Sequence, residues 1–112
     1  MNQVEEILEE HILHVLKKQK AKKRHIPIDL VMLNGNILLS QFRLYEYDKK
    51  SKQIKGLTHR EEYSHPREER EPVYCYLYLK EISNLYCPDL GIDYPAGFEI
   101  HIAHLNPMAS RL

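Results

Sequence analysis

The sequence predicts a mainly β domain with an N-terminal α-helix, its long strands curling around a small barrel. Three observations predict it. From Ile26 to Asp48 two apolar runs flank the dipeptide Asn34-Gly35, a further strand-like run covers Val73 to Ile82, and an amphipathic pattern from residue 2 to about residue 20 precedes both.

The helix comes first. Val4, Ile7, Leu8, His11 or Ile12, Val15 and Leu16 recur at three- and four-residue steps, which gathers them on one face of an α-helix. Glu5, Glu6, Glu9 and Glu10 crowd its first half, and Lys17, Lys18, Lys20, Lys22, Lys23 and Arg24 crowd its end. Both blocks complement the helix dipole. The basic block also has a second reading, as a patch that grips phosphates and gains salt-dependent affinity by releasing condensed counterions.

In the central stretch, Ile26, Ile28, Leu30 and Met32 fall on one face and Pro27, Asp29, Val31 and Leu33 on the other, the period-two pattern of a half-buried strand. Asn34-Gly35 then turns the chain, since this pair most easily takes the positive φ values of a type I′ hairpin turn. The return strand, Asn36 to Asp48, is about twice the usual length, and strands that long commonly bend.

Lys49 to Lys52 read as a turn and Gln53 to Tyr63 as a further strand, inside a long polar insertion spanning about residues 49–72. Ser64 to Glu71 reads as exposed loop. From Val73 the alternation sets Val73, Cys75, Leu77 and Leu79 on one face and Tyr74, Tyr76 and Tyr78 on the other. That tyrosine face suits packing against a helix or a neighbouring subunit, and as a second reading it suits stacking on bases. Ile82 to Cys87 reads as a last short strand stopped by Pro88. Residues 1–88 thus form the helix and barrel, and 89–112 an extension with one more strand-like alternation, Phe98 to Ile102.

Bulk composition narrows the function. Sixteen Lys and Arg against sixteen Asp and Glu give a formal net charge of +0, so a polyanion site must come from local segregation of charge. No apolar run approaches the roughly eighteen residues of a membrane span and no signal-peptide pattern opens the chain, so a cytoplasmic location is expected. The two cysteines, Cys75 and Cys87, read as reduced, partly buried thiols. His11 and His14 share a helix face and His101 and His104 repeat their spacing, yet no recognised ligand motif surrounds them, so no metal and no cofactor is expected. His11 is expected to be half-buried and His14 to face solvent. No Gly-rich phosphate loop or nucleophile elbow occurs, and Glu46 with Asp48, or Glu61 with Glu62, reads as solvated charge. Catalysis is not expected.

Several of these residues together resemble the bacterial Sm-like RNA-binding family, Hfq. The likeness begins where Val15 and Leu16 precede the basic run and continues unbroken from Ile26 through Gly35. It carries on at Leu38, Ser40-Gln41-Phe42, Tyr45 and Glu46, and resumes at Tyr78, Ile82, Ser83 and Pro88. About half the chain is covered. The resemblance implies five short antiparallel strands closing on themselves, assembly into a homo-oligomeric ring, and post-transcriptional regulation through RNA.

It also implies a basic rim at Lys20, Lys23 and Arg24, to which the surrounding Lys17, Lys18 and Lys22 belong by sequence. Lys80 is the remaining candidate RNA contact: Leu79 and Lys80 stand where the family has a Lys-His pair. Ser40 replaces the glycine on which the family bends its strand. Val31, Ile37 and Leu39 replace the family's adenine-reading Tyr, Lys and Gln, leaving that face apolar. Paired strand edges would close the ring, the candidates being Gln53 to Tyr63, Val73 to Ile82 and Ile82 to Cys87. The alternative is an SH3-like barrel that binds a protein through Tyr74, Tyr76 and Tyr78, without nucleic acid.

Overall fold

The computed structural model describes residues 3–34, 37–58 and 74–97. Helix α1 spans Gln3–Lys22, with Glu5 and Glu6 in its first turn and Lys20 and Lys22 in its last. Six strands follow: β1 (Ile28–Met32), β2 (Ile37–Asp48), β3 (Gln53–Leu57), β4 (Cys75–Tyr78), β5 (Ile82–Cys87) and β6 (Ile92–Tyr94). The chain is mainly β with an N-terminal helix, as its patterning predicts.

The expected five-stranded closed barrel is not what forms. The strands make one antiparallel sheet in the order β4-β3-β2-β1-β5-β6, and β4 and β6 are its two open ends. The physical reason lies in the segment after Cys87. Pro88–Leu90 forms a 3-10 turn, Gly91 takes a left-handed φ of 67°, and the chain returns as β6 along the free side of β5. Part of the expected extension is therefore a sheet strand. The reading of Phe98–Ile102 lies outside the described residues.

Strands β1 and β2 pair as the expected hairpin requires, Met32 with Ile37 and Val31 with Leu38; the expected turn at Asn34-Gly35 reaches outside the described residues. Long β2 then changes direction twice. Between Leu39 and Phe42 its register on β1 slips by one residue, and Gln41 sits there with φ 54°. The Gln41 amide donates to Asp29 Oδ1 at 2.9 Å, which holds the bend. The strand turns at Gln41, beside the expected Ser40. A second slip falls between Leu44 and Glu46, against β3. Tyr45 is the extra residue of that bulge, and beyond it the inward-facing parity flips from Phe42 and Leu44 to Tyr47.

The run Val73–Ile82 is not one strand. β4 ends at Tyr78, Leu79–Glu81 makes a 3-10 turn, and Ile82 starts β5. Of Gln53–Tyr63, Gln53–Leu57 is strand, and residues past Thr58 lie outside the described set.

The core lies between α1 and the sheet. Leu8, Ile12 and Val15 of the helix meet Ile26, Ile28, Leu30, Phe42, Leu44, Ile54, Leu79, Ile82, Leu85, Cys87 and Ile92. Burying a side chain of this size stabilises the fold by about 1.5–3 kcal/mol. A polar clamp adds to the helix contact: the Tyr47 hydroxyl donates to Glu9 Oε2, and Lys52 Nζ reaches the same oxygen at 2.9 Å. At Gly56 a side chain has no room, since a Cβ would strike the Arg43 carbonyl oxygen and the Phe42 ring. Cys87 is a buried free thiol and Cys75 a half-buried one; burial pushes the Cys87 thiol above its usual pKa.

Candidate nucleic-acid interface

The basic run occupies the last turn of α1 and the link to β1. Lys23 ends the helix in a left-handed conformation, φ 54°, which costs a side-chain-bearing residue about 1–2 kcal/mol. Gln19 holds the link in place. Its Nε2 donates to the Leu44 carbonyl at 2.9 Å, its Oε1 accepts the Ile26 amide at 3.0 Å, and its own carbonyl accepts from the Arg24 amide at 3.3 Å. One glutamine therefore ties the basic link to β2 next to Tyr45.

Lys17, Lys18, Lys20, Lys22, Lys23 and Arg24 are all at least partly exposed. Arg24 approaches Asp89 at 3.9 Å with both side chains about half in solvent, a contact too weak to neutralise the run. The cations lead directly into a row of rings. His25 lies 4.6 Å from Tyr45, tilted; Tyr45 meets Tyr74 edge-on at 5.1 Å; and Lys55 Nζ stands 4.3 Å over the Tyr74 ring. Lys55 also faces Glu46 at 4.0 Å. The result is a strip of positive charge and half-open aromatic faces running from the helix end across β2 to β4. Such a strip offers phosphates a cation and bases a stacking platform.

The structure separates the three candidate tyrosines. Tyr74 joins the strip, while Tyr76 and Tyr78 stand 57% and 41% exposed on the outer face of β4 and pack beneath nothing among the described residues. Lys80 is apart from the basic run, on the 3-10 turn after β4, with Nζ 5.4 Å over Tyr78. Val31 is fully buried and is no surface site. His11 is half-buried against Tyr94 at 5.7 Å, with its pKa lowered by burial, and His14 is exposed. Among the described residues no three His, Cys, Asp or Glu side chains gather as a metal site; His101 and His104 lie outside them. No helix among these residues is long and apolar enough to cross a membrane.

Gln19, His25, Tyr45 and Lys55 are the site residues that pattern reading missed. His25 follows the basic run directly and Tyr45 alternates with inward Phe42 and Leu44, both usable signals; that Lys55 and Tyr74 join them depends on the order of the strands. Compared with protein-family models, curated proteins and solved structures, the chain matches none.

Proposed function

We propose that this chain binds single-stranded RNA along the strip from Lys20 to Lys55, as a post-transcriptional regulator of Sm-like type. The observation that carries the proposal is the continuity of the exposed basic run with the His25–Tyr45–Tyr74 rings. Either feature alone has an ordinary structural explanation; adjoining each other, they match the two chemistries of a nucleic-acid strand. The order of helix, bent strands and last short strand supports the likeness carried by Ile26–Gly35. In this reading the Sm-like barrel is opened by the added strand β6. Lys17, Lys18, Lys20, Lys22, Lys23 and Arg24 hold phosphates, and Tyr45 and Tyr74 stack on bases. Self-association through strand edges belongs to the same proposal.

The test is the anisotropy of a labelled, unstructured RNA titrated with nuclease-treated protein. Tyr74→Ala is expected to weaken binding on the order of tenfold, in line with about 1–3 kcal/mol per stacked base. Unchanged affinity would remove the rings from the site.

A second reading has its own observation. The exposure of Tyr76 and Tyr78 on an end strand favours a protein-binding module, in which those two side chains meet a partner. Loss of a partner on Tyr76→Ala and Tyr78→Ala, with RNA affinity unaffected, would favour that reading.

A further inference from the structure

The two ends of the sheet differ. β6 is blunted: it is three residues long, carries exposed Asp93, and runs into Pro95, which has no N–H to offer a neighbour. β4 has none of these devices. Its sequence Cys75-Tyr76-Leu77-Tyr78 is uncharged, without proline, and alternates core-facing with exposed aromatic side chains. Strand β5, a candidate edge by its sequence, has β1 on one side and β6 on the other, and β3 lies between β2 and β4. Only β4 presents an unguarded edge among the described residues.

The backbone shows which groups that edge offers. The Leu79 amide donates inward to the Lys52 carbonyl at 2.9 Å, so by alternation the odd residues of β4 turn to β3 and the even ones outward. The outward amide of Tyr78 is already taken, by Glu81 Oε1 at 2.9 Å. The outward N–H and C=O of Tyr76 and the C=O of Tyr78 remain.

We propose that two copies of this chain pair β4 to β4, antiparallel about a two-fold axis at Tyr76, joining the two sheets into one. In that register Tyr76 faces its own copy and exchanges two hydrogen bonds. Tyr74 lies opposite Tyr78 on the outer face and Cys75 opposite Leu77 on the inner, so aromatic meets aromatic and apolar meets apolar. A second copy fits because the strand is complementary to itself and brings no like charges together. Glu81 favours this register. With the Tyr78 amide held, an axis at Tyr76 keeps the central two-bond exchange and loses that amide only at the flanking Tyr74–Tyr78 pairs. An axis at Leu77 would put the held amide opposite Tyr76 in both central pairs. The assembly is a closed dimer, in place of the ring implied by the resemblance, and it does not rest on RNA binding.

The test is light scattering on the full, nuclease-treated chain together with cysteine cross-linking. The wild type is expected at twice the chain mass and Tyr76→Pro, which removes the central donor, at the single-chain mass. Residues opposite each other in a hydrogen-bonded pair have Cα atoms about 5.5 Å apart, within the roughly 4.4–6.8 Å a disulfide spans. Oxidised Tyr76→Cys should therefore form a covalent dimer, while wild type and Tyr78→Cys stay largely uncross-linked. A wild-type monomer or a ring of higher mass overturns the proposal, as does a dimer that survives Tyr76→Pro. Cross-linking of Tyr78→Cys as ready as that of Tyr76→Cys overturns the register. Should Tyr76→Pro fail to fold, the wild-type mass and the two cysteine variants decide.

Discussion

Tyr45 and Tyr74 meet edge to face, ring centroids 5.1 Å apart, across the strand that lies between theirs. Tyr45 continues the outward alternation set by inward Phe42 and Leu44, and as the extra residue of the bulge it has no partner on β3 directly opposite. Aromatic pairs of this geometry contribute about 0.5–1.5 kcal/mol beyond the area they bury. A double-mutant cycle of Tyr45→Ala and Tyr74→Ala, followed by urea unfolding, is expected to show a coupling energy in that range. Strict additivity would mean that the rings do not hold each other in solution.

The Glu9 clamp predicts an acid dependence. Hydrogen bonds from Tyr47 and then Lys52 hold the Glu9 carboxyl below its ordinary value of 4.5, while burial and then the same Tyr47–Glu9 bond push the Tyr47 phenol up. A depressed folded-state pKa gives stability that is present above the unfolded value and lost as pH falls through the folded one. Between about pH 6 and about pH 3 the wild type should lose more stability than Glu9→Gln. At neutral pH, Tyr47→Phe should cost about 1–3 kcal/mol. Equal acid slopes for wild type and Glu9→Gln would show that the clamp is open in solution.

Gly56 predicts a packing failure. Its neighbours are the Arg43 carbonyl oxygen and the Phe42 ring, a backbone atom and a core side chain, neither free to move aside. Gly56→Ala should destabilise by about 1–3 kcal/mol through overpacking, read as a fall in thermal midpoint. A neutral substitution would place β3 further from β2 than the structure has it.

Gln19 predicts a link between stability and the basic run. Replacing it by Leu leaves the Ile26 amide and the Leu44 carbonyl without their partner, at a cost of about 1–3 kcal/mol. Hydrogen exchange at Ile26 should quicken in step. If exchange there is unaltered, another group fixes the helix-to-strand link.

How much of this is legible in sequence depends on whether the determinant is local. The α1 apolar stripe, the alternation through Ile28–Met32 and the apolar runs on either side of Asn34-Gly35 are all short-range patterns, and helix α1, strand β1 and the antiparallel β1–β2 pairing they predict are present. β5 is likewise bounded by Pro88. The open sheet was not legible, because β6 is only Ile92–Tyr94 and its pairing with β5 depends on a turn with a left-handed Gly91. Nor was the inward turn of Tyr47: the one-residue bulge at Tyr45 reverses facing beyond it without changing the sequence alternation. In the candidate site, the cations were readable from composition. Their neighbours were not, since Tyr45, Lys55 and Tyr74 come together through sheet order, and Tyr76 and Tyr78 share their alternation yet end up in solvent.

The most direct test of RNA binding at this strip is the salt dependence of affinity for an unstructured RNA, compared between wild type and the Lys20→Ala, Lys22→Ala, Lys23→Ala, Arg24→Ala combination. The account predicts weaker binding by the variant and a shallower dependence of log affinity on log salt, by roughly 0.7 for each single-strand phosphate that is no longer neutralised. The same affinity and the same slope in both proteins would contradict it.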